Sequence, residues 1–203
     1  SPHCRPRQAP VAPPAPPRGV LRAHARGYLA RAGASPRIVH VPRGRVVGGS
    51  SVTNGAIALR GHPEHYDEWD AHVDGYGWES WLPWFRAIEA DQDFGGADWH
   101  GAHGPIPISR YPRSTWLELQ ERFCEAALRV GHEWIDDHNA PGAIGIGAIP
   151  LNMLDGQRQT PADRYLHPAL VRPNLALRTG VLIHRTTLAG PRPTVLCPPA
   201  PAR

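Results

Sequence analysis

The 203-residue chain contains no lysine; all 22 of its basic residues are arginine. A Walker-type phosphate loop, which needs a Lys after its glycines, is therefore excluded. The arginines are scattered along the chain rather than gathered in a run. Despite a net charge of +4, this argues against a nucleic-acid partner, which leaves a clustered basic footprint. The three cysteines, Cys4, Cys124 and Cys197, stand far apart and form no CxxC. That excludes a zinc knuckle or a thioredoxin-type site and does not read as a disulfide framework. A reducing compartment fits best, and the expected location is the cytoplasm. No apolar run approaches the roughly 20 residues needed to span a bilayer, so no transmembrane segment is expected. Neither GxGxxG nor GxSxG occurs. His62/His65 and His100/His103 are closely spaced pairs without a third ligand at a recognisable spacing, and 136–139 lacks the alternating oxygen ligands of a calcium loop. No metal site is expected.

Proline is plentiful but concentrated at the ends. Residues 1–18 hold seven of the 24 prolines and residues 191–203 hold five. Proline removes backbone donors and resists both helix interiors and ladders. Residues 1–36 are expected to be largely disordered, and 191–203 to be a disordered tail. Two readings account for these ends: flexible tails, or out-of-frame translation of GC-rich DNA.

The middle has folded character. A short helix is expected within 19–33 and a strand at 37–41, "RIVHV". Pro63 opens a helix "PEHYDEWDA", well placed where no partner exists for an N–H. A second helix is expected over 78–94, with Ser80 as its cap and Trp81, Trp84, Phe85 and Ile88 on one face. "GPIPISRY" (104–111) reads as extended. A third helix is expected to start after Ser114 and run to about Val130, with the apolar stripe Trp116, Leu119, Phe123, Ala127 and Val130. "IGIGAIPLNML" (144–154) reads as a strand with close backbone approach at its glycines. A fourth helix is expected from Pro161 to about Leu170, then two strands, "NLALRTG" and "VLIHRTTL", joined at Gly180. The mixture points to an α/β or α+β fold.

The densest signal is "GRVVGGSSVTNG", residues 44–55. Gly48 and Gly49 allow a tight turn and close approach to a ligand. Ser50 and Ser51 add hydroxyls beside backbone donors, which suits a phosphate or a polar ring edge. Asn54 can both donate and accept, as a heterocycle requires. On composition alone a plain Gly/Ser turn is the favoured reading.

The longer pattern is more specific. Gly44-Arg45-x-Val47-Gly48-Gly49-Ser50-Ser51-x-x-Asn54, then Arg60-Gly61, then Tyr66-Asp67-x-Trp69, resembles the first signature of the glucose–methanol–choline (GMC) family of flavin oxidoreductases. "GYGW" at 75–78, "HGAHGPIPIS", "DGQRQTPADRYLHPA" and "RPNLALRTG" resemble the family's later elements in the same order. The resemblance covers about residues 38–190. It implies a partial FAD-binding domain plus part of a sheet-and-helix substrate domain. Residues 37–75 would be an FAD-domain segment, 76–172 a partial substrate domain, and 173–190 strands returning to the FAD domain.

The resemblance also implies a function: oxidation of a small alcohol, with hydride passing to the flavin and on to an electron acceptor. Carried over by position, Val46, Gly48, Gly49, Ser50, Asn54, Gly55, Ala56 and Ile57 would contact FAD, and the backbone of Ile183 would meet its adenine. Thr53 stands where some members carry a His that binds flavin covalently, so non-covalent FAD is implied. The family's GxGxxG and its catalytic C-terminal His lie outside the matched pattern. The chain is therefore expected to be a central fragment, and no catalytic residue is assigned. A non-catalytic fragment or interaction module is the alternative, and a hydroxynitrile lyase a further one. Arg60 and Asp67 are expected to pair.

Overall fold

The computed structural model describes residues 24–31, 33, 35–181, 185–189 and 192–197, the last two stretches for their backbone only. It is a mixed helix-and-strand structure. Its strands form four two-stranded sheets among the described residues. The chain divides into two compact units, with the break after His167.

The first unit begins with β1 (Ala25–Arg31), antiparallel to β2 (Ile38–Gly44), from Ala25 opposite Gly44 to Arg31 opposite Ile38. A helix was expected within 19–33. Pairing with the β-branched run of β2 overrides the weak helical preference of "ARGYLAR". Pro42 is tolerated because a two-stranded sheet has only edges.

Helix α1 (Pro63–Asp70) has Pro63 in its first turn. Helix α2 (Trp78–Ile88) has Gly77, not Ser80, at its N-cap position. Its N-terminus is capped from α1 instead. Asp67 accepts from Trp78 N at 3.0 Å, and Asp70 accepts from Tyr76 N at 2.8 Å and Gly77 N at 2.9 Å. Two carboxylates thus sit at the positive end of the α2 dipole. Asp67 is occupied in this way and Arg60 pairs with Glu89 instead, so the Arg60–Asp67 pair expected from the sequence does not form. Tyr66 of α1 packs its ring within 5.6 Å of both Trp78 and Phe85, which locks the two helices together.

The helix expected to reach residue 94 stops at Ile88. Glu89–Asp91 is a strand, β3, parallel to β4 (Ile106–Ile108). Helix α3 (Glu118–Arg129) starts after Ser114, which lies in a separate 3-10 turn at Arg113–Thr115. The stretch 144–154 is mostly irregular. It ends in β5 (Met153–Leu154), antiparallel to β6 (Gln157–Arg158). The expected close approach is present: a Cβ on Gly147 would lie 2.0 Å from Ile135 O. Beyond it, Thr160 and Asp163 bond reciprocally and start a π-helical stretch, Ala162–Leu166, followed by a helical turn at His167–Ala169.

In the second unit, β7 (Arg185–Ala189) pairs antiparallel with β8 (Arg192–Cys197), with a register shift between Thr187 and Leu188. Strand β8 lies in the tail expected to be disordered, and the register shift falls beside Pro193, where a ladder donor is missing. "NLALRTG" (174–180) carries no strand.

The core is small. Ala56, Leu151 and Met153 are buried together, with Tyr111 against them. The segment 150–153 runs between two others: Ala58 N donates to Pro150 O and Asn152 N to Ala56 O on one side, while Ser109 and Leu151 exchange two bonds of 2.9 Å on the other. By contrast, three of the five residues of the expected apolar stripe stay exposed, Leu119 at 78%, Phe123 at 69% and Val130 at 77% accessible, while Trp116 and Ala127 are half-buried. Among the described residues no helix is long and apolar enough to cross a membrane.

This contrast gives a test. Replacing exposed Phe123 with Asp should change the unfolding free energy by less than about 0.5 kcal/mol. Replacing its neighbour Cys124, which is 1% accessible, with Asp should cost about 3 kcal/mol or more by burying an unpaired charge. Urea denaturation of the two variants checks both.

Candidate functional site

The glycine-serine loop leaves β2 at Gly44. A Cβ there would sit 2.2 Å from Gly49 O, so the loop closes on its own start only because residue 44 is glycine. Gly44 N also donates to Ser50 Oγ at 3.1 Å. Gly48 has φ 92° and leads into a 3-10 turn, Gly49–Ser51. Ser51 Oγ donates to Gly48 O at 2.7 Å, and the N–H groups of Thr53 and Asn54 both donate to Ser50 O. The Thr53 hydroxyl lies 3.5 Å from the same carbonyl.

The loop leaves through Ala56, which has φ 61° and is buried. A non-glycine residue in the left-handed region costs of order 1–3 kcal/mol and persists only where its surroundings fix it. Here they do: Ala56 N donates to Asn54 Oδ1 at 2.9 Å, and Ala56 O accepts from Asn152 N at 2.8 Å. The structure thus gathers Val46, Gly48, Gly49, Ser50, Asn54, Gly55, Ala56 and Ile57 on one turn; Ile183 lies outside the described residues. Among the described residues, Gly55 N–H, Ile57 N–H and Asn54 Nδ2 make no hydrogen bond. A cavity of about 350 Å³ adjoins the loop. Ser51, Asn54 and Ile57 line it together with Tyr66, Phe85 and Gln159.

Beyond the loop the chain enters a buried charge network that sequence reasoning missed. His100 is fully enclosed. Its Nδ1 lies 2.7 Å from Glu89 Oε1 and 3.3 Å from Asp91 Oδ2, and its Nε2 lies 2.9 Å from Asp137 Oδ2. Arg110 bridges Asp91 at 3.0 Å, Asp93 at 3.2 Å and Asp137 at 2.8 Å. Arg60 pairs with Glu89 and also donates to Trp99 O. Carboxylates therefore face both ring nitrogens of His100. Only the imidazolium donates from both, so His100 is charged. The network also reaches the exit of the loop, where Asn139 Oδ1 accepts from Arg60 N and Asn139 Nδ2 donates to Ala58 O, each at 2.9 Å.

The titration behaviour follows from this geometry. Burial is the largest influence on His100 and disfavours its charge, but hydrogen bonds to Asp137 and Glu89 and the charge of Asp91 outweigh it. The pKa rises from 6.5 to about 9. Burial also opposes ionisation of Asp137. The bonds from His100, Trp99 Nε1 and Asn139 N outweigh it and hold the carboxyl well below its usual range. Glu89 is lowered in the same way, with His100, Arg60 and Gly101 N overcoming burial. The carboxylates converge on ring N–H groups rather than on an open centre. Among the described residues no group of three or more His, Cys, Asp or Glu is arranged to hold a metal.

A pH dependence follows. His100 binds its proton more tightly folded than unfolded, so its stabilisation is full below about pH 6.5 and is lost as pH rises through about 9. Glu89 and Asp137 contribute above the ordinary carboxylate range and lose that contribution on acidification. Replacing His100 with Gln should cost about 3–5 kcal/mol at pH 7, since it leaves buried carboxylates uncompensated. The deficit should shrink at pH 9.5. Urea melts of both proteins at the two pH values check this; an equal deficit at both would contradict a charged His100.

The GMC oxidoreductase family model matches residues 25–196, wider at both ends than the motifs alone indicate. The chain is 38% identical over 152 residues to a GMC-type oxidoreductase from the thcA 5' region of Rhodococcus erythropolis, covering 75% of this chain and 30% of that protein. It is 38% identical over 143 residues to the oxygen-dependent choline dehydrogenase of Sinorhizobium fredii, covering 70% of this chain and 25% of that one. Pyridoxine 4-oxidase from Mesorbium loti superposes with a TM-score of 0.75 at 35% identity, over 85% of this chain and 35% of the oxidase. The chain thus spans about a quarter to a third of the length of these relatives.

Proposed function

Because the chain belongs to the GMC oxidoreductase family, we propose that residues 46–57 form part of an FAD cradle in an enzyme that oxidises the CH–OH group of a small alcohol and passes the electrons to an acceptor. The observation that carries this reading is the unbonded donor set of Gly55 N–H, Ile57 N–H and Asn54 Nδ2, on a loop held rigid from behind. Asn54 and Ile57 line an open cavity, and their donors, with the adjacent Gly55 N–H, fit a ring edge rich in carbonyl oxygens and imine-type nitrogens. Bound FAD supplies the hydride acceptor. The chain's own part is to place those donors, to let Ser50 and the glycines approach the cofactor, and to keep the loop from relaxing at Ala56.

The FAD is proposed to be non-covalent. Thr53 directs its hydroxyl to Ser50 O, and no side chain of the loop is a nucleophile suited to the flavin ring. The relatives' names support the substrate class: one is a choline dehydrogenase and one a pyridoxine 4-oxidase. None of the residues described here is proposed as the catalytic base. The buried, free Cys124 suits a reducing compartment, so the cytoplasm is proposed as the location.

Titration of FAD into the purified chain, read by quenching of flavin fluorescence, tests the cradle. Binding is expected to be weak but saturable. Replacing Gly55 with Val, where a Cβ meets only Ile57 at 3.5 Å, should leave the fold intact and weaken binding about tenfold by obstructing the donor face, a loss of about 1.4 kcal/mol. Absence of saturable quenching with the wild-type chain would remove the cofactor reading.

A further inference from the structure

One arginine, 104 residues away in sequence, reaches the cradle. Arg158 follows the glycine turn of "DGQR" and extends its guanidinium under the loop. Its Nη1 donates to Ser51 O at 3.0 Å and also to Asn54 Oδ1, and its Nη2 donates to Asn54 O at 2.6 Å. The planar fork thus engages two backbone carbonyls and one side-chain carbonyl of the same turn. Asn54 Oδ1 accepts a second bond, from Ala56 N at 2.9 Å. A guanidinium and a backbone N–H are donors only. The atom facing them both must therefore be the amide oxygen, and the amide nitrogen must point the other way. That nitrogen makes no hydrogen bond and belongs to an exposed residue beside the cavity.

We propose that Arg158 is a positioning residue that fixes the polarity of Asn54, so that the loop offers its ligand an N–H donor and never an acceptor at this position. The inference rests on the reading of the loop as a flavin cradle only for the identity of the ligand; the clamp itself is a property of the free chain. A side-chain amide with both ends free can turn over and satisfy donors or acceptors alike. Once its oxygen is held by a cation and a backbone N–H, it selects an acceptor atom, such as a ring carbonyl or imine-type nitrogen of the isoalloxazine. The same bonds hold the turn that delivers Gly55 and Ile57, so Arg158 sets both the position and the sign of the donor set.

The test begins without flavin. In the wild-type chain, proton NMR should show the Ala56 amide proton remote from the Asn54 side-chain NH2 protons. A strong Overhauser contact between them would put nitrogen where oxygen is required and overturn the proposal. Replacing Arg158 with Met keeps the stem and removes the fork. Hydrogen exchange of amides 52–54 and 56 should then accelerate about tenfold, with exchange in α1 and α2 unchanged. Replacing Arg158 with Lys should give an intermediate acceleration, since one point charge cannot span three carbonyls. Loop exchange at wild-type rates in both variants would refute the clamp. Asn54→Asp then tests polarity toward the ligand. It keeps the pairing with Arg158 and the loop protection, but replaces the outward donor with an acceptor. FAD affinity should fall about tenfold or more with loop exchange unchanged; wild-type affinity would overturn the donor assignment. If the wild-type chain does not quench flavin fluorescence while Arg158→Met still loosens the loop, the clamp stands and the cofactor reading is what fails.

Discussion

The structure depends on a histidine that cannot lose its proton without breaking its own surroundings. His100 lies between Glu89 and Asp91 on one side and Asp137 on the other. With the imidazolium counted, Arg60, Arg110 and His100 supply three positive charges against the four carboxylates of Glu89, Asp91, Asp93 and Asp137. A neutral ring would leave two cations among four carboxylates in a water-poor site. Burying so many charges returns little net stability, because desolvation cancels most of the attraction. What the arrangement provides is direction. Each bond has a required geometry, and together they fix where strand β3, the His100 turn, Arg110 and the 137–139 loop lie relative to one another.

The loop inherits that fixed frame. Its exit segment, 57–60, is bonded to the 150–152 segment on one side and to Asn139 on the other, and Asn139 is oriented by the Asp137 carboxylate that holds His100. The left-handed backbone at Ala56 is an unfavourable choice for an alanine. It survives because Asn54, Asn152 and the small core of Leu151 and Met153 all require it. Were the frame soft, this residue would relax toward ordinary φ, and the N–H groups at 55 and 57 would change direction.

What the sequence reveals follows how local the physics is. The Gly44–Asn54 pattern is legible because each residue answers a constraint met within a few positions: a close approach at Gly44, a left-handed turn at Gly48, a side-chain bond from Ser50. Helices α1 and α2 are legible from period and from Pro63. The cap of α2 is not, because it comes from Asp67 and Asp70 across a turn rather than from Ser80 within the helix. Strand β1 is misread as helix because only its partner β2 makes it a strand, and β8 is missed because proline count says nothing about pairing in register. The charge network is invisible to spacing, since its members run from Arg60 to Asp137. One local clue exists: Glu89, Asp91 and Asp93 alternate with period two, the mark of an extended segment with one charged face. The helical pattern of the preceding tryptophans hides it.

The division of labour between polar and apolar contacts explains why the site is built this way. The buried apolar cluster comprises three small or medium side chains, while larger apolar residues of α3 remain exposed. Apolar burial is non-directional and roughly proportional to area. It can bring the loop near the 150–153 segment, but it cannot decide which end of an amide faces a ligand. That decision requires partners with only one possible role. Arg158 and the Ala56 N–H are both obligate donors, as the imidazolium of His100 is at both of its nitrogens. The same rule therefore operates at two depths: a buried cation with no acceptor capacity fixes the frame, and a half-buried one fixes the sign of the surface that the loop presents.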